Sequence, residues 1–167
     1  MTTRSLRKGP ADAAPDDGRD IETRWSYRIS TLASLLDKQS ARRFSRHGFS
    51  LVQWRIVTRL ASIGPCSMSQ LLPLAAVDRA LVSREVAALE QRAFVTVASD
   101  GKDKRRKIVA LTAKGQHKHA DILPEVLTRH ALLDGCLTQR ERDVFARAIE
   151  KMKTCILEDI EREESQT

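Results

Sequence analysis

The chain has 167 residues, a formal net charge of +7, 41% apolar residues and only 4% aromatic ones. That length suits one domain and is enough to bury a core, which with so few aromatics should rest mainly on Leu, Ile, Val and Ala. Cys66, Cys136 and Cys155 stand far apart and no apolar run approaches the ~18–20 residues a bilayer requires, which excludes a disulfide scaffold and a membrane span and fits a reducing cytoplasm.

Residues 1–19, rich in Pro, Gly, Ala and Asp and lacking an apolar leader, read as a disordered arm. Ile21, Trp25, Ile29, Leu32 and Leu36 then recur at steps of three and four, predicting an amphipathic helix to about His47. Ser50 and Gln53 form a capping-box pair ahead of a second helix, whose apolar face is Val52, Ile56, Val57 and Leu60 and whose end is Gly64-Pro65. Ser67 and Gln70 repeat the device before a short helix over residues 71–76, which Pro73 shortens or kinks. Asp78 is placed to cap a helix over 79–92 that turns Val82, Val86 and Leu89 inward and Arg79, Ser83 and Arg84 outward.

Residues 93–99 and 107–111 are rich in β-branched side chains and predict a hairpin, with Asp100 to Lys107 charged at seven of eight positions between them. Thr112 opens a helix to about Leu133, broken or kinked at Pro124. Thr138 and Glu141 form a third capping box, and Phe145, Ile149, Met152, Ile156 and Ile160 stripe a long last helix. Charge is segregated: residues 76–118 hold ten Lys/Arg against five Asp/Glu, whereas residues 119–167 hold seven against eleven. A basic middle and an acidic end suggest a polyanion-binding module joined to a part that need not touch the polyanion.

Two helices joined tightly, the second with an outward Arg/Ser face, followed by a basic hairpin, predict a mainly α, winged helix-turn-helix fold. An α-helix fits the major groove of double-stranded DNA, where base edges differ in donor and acceptor pattern. A narrow charged hairpin tip suits the minor groove or the phosphates. Candidate DNA contacts are Arg79, Ser83 and Arg84 on the helix, Ser69 and Gln70 before it, and Lys102, Lys104, Arg105 and Arg106 at the tip. Ser69 and Gln70 have simple capping as their other role.

The stretches DRALVSREVAALEQRAFV (78–95) and DGKDKRRKIVALTAKG (100–115) resemble the recognition helix and wing of the MarR family of bacterial transcriptional regulators. The resemblance extends over about residues 20–163. It implies an obligate homodimer, with residues 20–47 and 116–167 forming the dimer interface, 48–115 the DNA-binding module, and two such modules on a pseudo-palindromic operator. Half-sites one helical turn apart would follow from the two-fold symmetry. It also implies repression relieved by a small effector, an aromatic acid or its thioester. Trp25, Arg28 and Trp54 could supply aromatic walls and a cation for such a ligand; core packing is the alternative for both tryptophans, and an exposed helix position for Arg28. For Arg105 the resemblance implies pairing with Asp100 or Asp103.

Two positions depart from the family pattern. Lys102 stands where arginine is usual, which keeps phosphate attraction but not the planar fork suited to a narrow minor groove. Ala93 stands where glycine usually ends the recognition helix; a left-handed cap would cost alanine about 1 kcal/mol, so the helix is expected to end differently.

A thiol-responsive regulator is the rival form of control, with Cys66, in a loop beside a helix start, the only cysteine placed to favour a thiolate. Cys136 and Cys155 read as packing residues. His117 and His119 point in different directions on a helix, and His117 with Asp121 offers only two ligands, so neither metal nor cofactor is expected. No nucleotide-binding or nucleophile-elbow motif occurs, which argues against an enzyme. An adaptor that no longer reads DNA and a sequence-blind architectural binder are the remaining readings.

Overall fold

A computed structural model describes residues 21–71, 78–101 and 106–166 of the chain. The N-terminal arm, Pro73 and the hairpin tip at 102–105 lie outside the described residues. After one 3₁₀ turn (Ile21–Thr23), the elements are α1 (Trp25–Ser45), α2 (Leu51–Ile63), β1 (Cys66–Ser67), α3 (Met68–Leu71), α4 (Arg79–Gln91), β2 (Val95–Ser99), β3 (Lys107–Leu111), α5 (Ala113–Gly135) and α6 (Gln139–Glu164).

The helix starts follow the capping chemistry. Ser50 Oγ accepts from the Gln53 amide at 3.0 Å while Gln53 Oε1 accepts from the Ser50 amide at 3.2 Å, a complete capping box opening α2. Thr138 and Glu141 build the same box for α6. Asp78 caps α4 and Thr112 caps α5. At α3 only half the device forms: Gln70 Oε1 accepts from the Ser67 amide at 2.9 Å, and the Ser67 hydroxyl turns to Gln70 and Ser69.

Three antiparallel strands lie in the order β1-β3-β2, with Val109 of β3 between Cys66 and Val97. The hairpin was expected; β1 was not. Two residues are too few for a period-2 signal, and Cys66 belongs to this strand, not to a loop.

The core also departs from expectation at its centre. Trp54 stacks on Phe44 at 4.9 Å between centroids and on His119 at 5.2 Å, and Phe49 meets both Trp54 and Phe94. Few aromatics are present, but these four sit together and, with His119, tie α1, α2, α5 and the end of α4 into one cluster. Ile56, Leu60, Leu71, Val82, Val86, Leu89, Val109 and Ile122 fill in around them.

The junction after α4 is tightly specified. Ala93 has φ 57°, so the helix does end in a left-handed residue, contrary to the expectation that alanine would avoid it. The Ala93 amide donates to Glu90 O at 2.8 Å and the Phe94 amide to Leu89 O at 2.9 Å, the two bonds of a Schellman cap. Buried Phe94 and Leu89 supply the apolar contact that goes with it. The cap is retained because it aims Phe94 into the core and starts β2. Nearby, Gly115 is packed so closely that a Cβ would lie 2.1 Å from Phe94 O, which leaves room only for glycine.

Helix α5 runs unbroken through Pro124. Helix α6 has no buried residue: Val144, Phe145, Ile149, Met152, Ile156, Leu157 and Ile160 are all exposed, 37% or more. Cys136 and Cys155, expected to pack, are likewise exposed in the single chain. No helix among the described residues is long and apolar enough to cross a membrane.

Candidate nucleic-acid interface

Helix α4 has two distinct sides. Val82, Val86 and Leu89 are at most 3% exposed and anchor it to the core. Arg79, Ser83 and Arg84 are exposed within its first two turns, and among the described residues neither arginine has a carboxylate partner. Guanidinium groups on a rigid helix can donate bidentately to guanine O6 and N7 or to phosphate.

What holds that face in place is a polar network that the sequence reading did not anticipate. Glu85 accepts from Ser50 Oγ at 3.1 Å and from Gln53 Nε2 at 2.7 Å, so the box that caps α2 also grips α4. Arg92 donates to Gly48 O at 2.7 Å and to Gln53 Oε1 at 3.3 Å, and lies over the rings of Phe49 and Phe94. Glu90 accepts from the Val97 amide at 3.2 Å and so ties the helix to the hairpin. A Glu or Arg on a helix face carries no mark in a single sequence that distinguishes a brace from a solvated charge.

Ser69 and Gln70 are exposed at α3, with the Gln70 side-chain carbonyl oxygen committed to the cap. In the wing, the Asp100 amide donates to Arg106 O at 2.8 Å, closing the strands towards the tip, and Lys107 Nζ reaches Ser99 Oγ at 3.3 Å. Arg106 is exposed. Lys102, Lys104 and Arg105 lie outside the described residues.

The three ligand candidates do not share one pocket in the single chain. Trp54 is 5% exposed and sandwiched in the core, whereas Trp25 is 69% exposed at the first turn of α1, with Arg28 at 5.8 Å from its ring centroid. Trp54 therefore takes the packing role. A separate cavity of ≈ 280 Å³ opens between the end of α2, the end of β3 and the start of α5. Leu60, Ala61, Gly64, Pro65, Leu111, Gln116 and His119 line it. Burial lowers the His119 pKa, and among the described residues its Nε2 has no hydrogen-bond partner.

Burial pushes the Cys66 thiol pKa up, only partly offset by the charge of Arg59, the reverse of what a reactive thiolate needs. Among the described residues no three His, Cys, Asp or Glu side chains gather as a metal site.

A helix seated on its apolar seam behind a short helix, with an open Arg/Ser face and a three-stranded wing after it, defines the winged helix-turn-helix class of DNA-binding proteins. Residues 49–107 match the model of the MarR family. The chain is 25% identical over 120 residues, 72% of its length and 87% of the relative's, to the HTH-type transcriptional regulator YwoH of Bacillus subtilis. A MarR/EmrR family transcriptional regulator from Acinetobacter superposes with a TM-score of 0.73 at 25% identity, covering 80% of this chain and 94% of that one. BpsR of Bordetella bronchiseptica, described with a mechanism for regulation of its DNA binding by 6-hydroxynicotinic acid, gives 0.63 at 22% identity over 75% and 98% of the two chains. Residues 49–107 thus match a MarR-type module, and the chain resembles transcriptional regulators over most of its length.

Proposed function

We propose that this regulator acts as a homodimeric repressor on a pseudo-palindromic operator and leaves it when a small organic anion, an aromatic acid or its thioester, binds. The observation that carries the DNA-reading part is the division of α4 into a buried seam and an open face with Arg79, Ser83 and Arg84. Ser69, Gln70 and the wing cations Lys102, Lys104, Arg105 and Arg106 contribute phosphate contacts that set register without reading sequence.

The dimer is supported by α6. A 26-residue helix with a full apolar stripe and nothing buried exposes far more contiguous apolar surface than a monomer tolerates. In this reading residues 20–47 and 116–167 form the interface and 48–115 the DNA-binding module, so that two-fold symmetry sets the half-site spacing.

The effector reading rests on the cavity between α2, β3 and α5, which is near the lower size limit of small-molecule pockets and lies where α5 leaves the winged module. BpsR, a structural neighbour regulated by a pyridine carboxylic acid, supports the same ligand class. Trp25 and Arg28 would enter such a site only where a partner's helices cover them. Release follows as a population shift: a ligand that binds better when the two modules are splayed weakens operator binding by the ratio of its two affinities.

The test is fluorescence anisotropy with the promoter DNA beside the protein's own gene against random duplex, at two salt concentrations and with a panel of aromatic acids and thioesters. Site-preferring binding with a steep salt dependence, abolished by one compound, is the expected result. Equal weak binding to both duplexes would overturn the regulator's sequence-specific role, and indifference to every compound would overturn the effector.

A further inference from the structure

The C-terminal half of α1 carries a strong positive row. Residues 38–46 contain Lys38, Arg42, Arg43 and Arg46 and no Asp or Glu. Arg43 is engaged by Glu125 at 3.4 Å. Lys38, Arg42 and Arg46 follow at steps of four and are exposed; Lys38 and Arg42 have no carboxylate partner among the described residues, and Arg46 lies near enough to Glu125 for its charge to help lower that carboxyl's pKa. With Leu35 and Gln39 they line a groove of ≈ 360 Å³ along the helix. The surroundings add charge: the Arg129 pKa is lowered by burial and then by the like charge of Arg43.

This row lies away from the reading face of α4. Arg46 is two residues before Gly48, whose carbonyl holds Arg92 at the C-terminal end of α4, whereas Arg79 begins that helix and Ser83 and Arg84 lie near its middle. Along the 13-residue helix, Arg79 is about 20 Å from Arg92 and Arg84 about 12 Å.

The complementary charge is in the same chain, on α6. Residues 156–164 carry Glu158, Asp159, Glu161, Glu163 and Glu164 against Arg162, a net of −4, matching the +4 of residues 38–46. Both helices also order their surface alike. In α1 the exposed apolar positions Trp25, Ile29, Leu32 and Leu35 come first and the basic row follows. In α6 the stripe from Phe145 to Ile160 comes first and the acidic end follows, with Asp159 and Glu163 continuing the face of Ile156 and Ile160 at steps of three and four. Set side by side and parallel, the two patterns meet apolar to apolar and acid to base. Within one chain α6 buries nothing, so its own α1 does not use it.

We infer that the groove on the C-terminal half of α1 is the docking site for the acidic C-terminal end of α6 from a second copy of the chain, which fixes the two helices parallel and in register. This rests on the homodimer reading and adds to it the charge pairing that selects the partner helix and its direction. Interfacial charges act chiefly on specificity and register, and repel wrong arrangements. The pairing also couples the partner's terminal helix to the end of α1 that Arg92 holds against the recognition helix.

Charge reversal in the full-length protein tests it, with the dimer dissociation constant read by analytical ultracentrifugation. Arg42→Glu with Arg46→Glu, and separately Asp159→Lys with Glu163→Lys, each raise that constant on the order of ten- to a hundredfold. All four substitutions in one chain, or an equimolar mixture of the two double variants, restore tight dimers, because acid again faces base at both symmetry-related sites. The wild-type constant rises with salt as exposed charges are screened. Reversals that leave the constant unchanged, or losses that the fourfold variant does not recover, would overturn the inference while leaving the homodimer intact. So would an α1 reversal that weakens DNA binding with dimerisation unaltered, since the row would then engage DNA. A wild-type chain that stays monomeric at every concentration would instead remove the homodimer reading itself.

Discussion

Arg92, at the last turn of the recognition helix, donates to the carbonyl of Gly48, 44 residues earlier, at 2.7 Å. The same guanidinium lies over Phe49 at 5.1 Å and Phe94 at 4.7 Å. One side chain thus fastens the turn after α1 to α4, the helix that carries the candidate DNA face. Its replacement by methionine keeps much of the apolar stem and loses the charge-assisted bond and the ring contacts, a cost of about 1–3 kcal/mol. Urea denaturation should show that loss, and operator binding should weaken in a protein that is still folded. Unchanged stability and unchanged binding would mean that the brace has no mechanical role.

Ala93 holds φ 57° where a residue with a Cβ is strained. Its glycine substitution keeps both Schellman bonds and removes that strain, so Ala93→Gly is expected to stabilise the protein by roughly 1 kcal/mol, less the entropy glycine gains when unfolded. Valine at the same site should destabilise, because β-branching is worse still at positive φ. Denaturant midpoints of the three proteins decide it, and a glycine variant less stable than wild type would show that the junction tolerates alanine without strain.

Much of this architecture is legible in the chain. Ser50/Gln53 and Thr138/Glu141 announce their helices because a capping box is local chemistry, and Val82, Val86 and Leu89 reveal the seam of α4 by their spacing. The candidate DNA face followed, since what is not seam on a capped helix is open. Long-range features left no such trace. The strand at Cys66–Ser67 exists only because β3 lies beside it. Trp54 could serve a pocket or a core by sequence, and Phe44 and His119, 10 residues before it and 65 after it, decide for the core. The cavity at Gln116 and His119 depends on α5 crossing the end of α2. Ala93 misled for a different reason: local preference disfavours its conformation, and the packing of Phe94 outweighs it.

His119 makes stability depend on pH. Its imidazole stacks on Trp54, and burial holds its pKa below the ordinary value, which is about 6.5. Well above that value the group is neutral folded and unfolded and contributes no slope. As the pH falls, the unfolded chain takes up the proton first, so stability declines until the pH passes the lowered folded value, where the loss is complete. His119→Phe keeps an aromatic ring against Trp54 and removes the proton. The difference between wild-type and variant denaturation midpoints, followed from about pH 8 to about pH 5, should therefore shift against the wild type in acid. A constant difference across that range would show that His119 stays solvated enough to charge freely.

Arg84 and Arg106 separate reading from holding. Arg84 is exposed on the recognition helix with no carboxylate partner among the described residues, and Arg106 is exposed where the wing closes. A guanidinium bonded bidentately to a base edge discriminates by about 1–3 kcal/mol, so Arg84→Ala should weaken the operator by that much and relax preference at one base pair in each half-site. A phosphate contact carries no sequence, so Arg106→Ala should weaken operator and random duplex alike. It should also make the slope of log K against log salt shallower by about one for each phosphate that is no longer neutralised. Affinities for the operator, its single-base variants and random duplex, each at several salt concentrations, distinguish the two patterns. If Arg84→Ala lowered all affinities equally and left base preference intact, its guanidinium would be a phosphate clamp, and reading would fall to Arg79 and Ser83 on the same face.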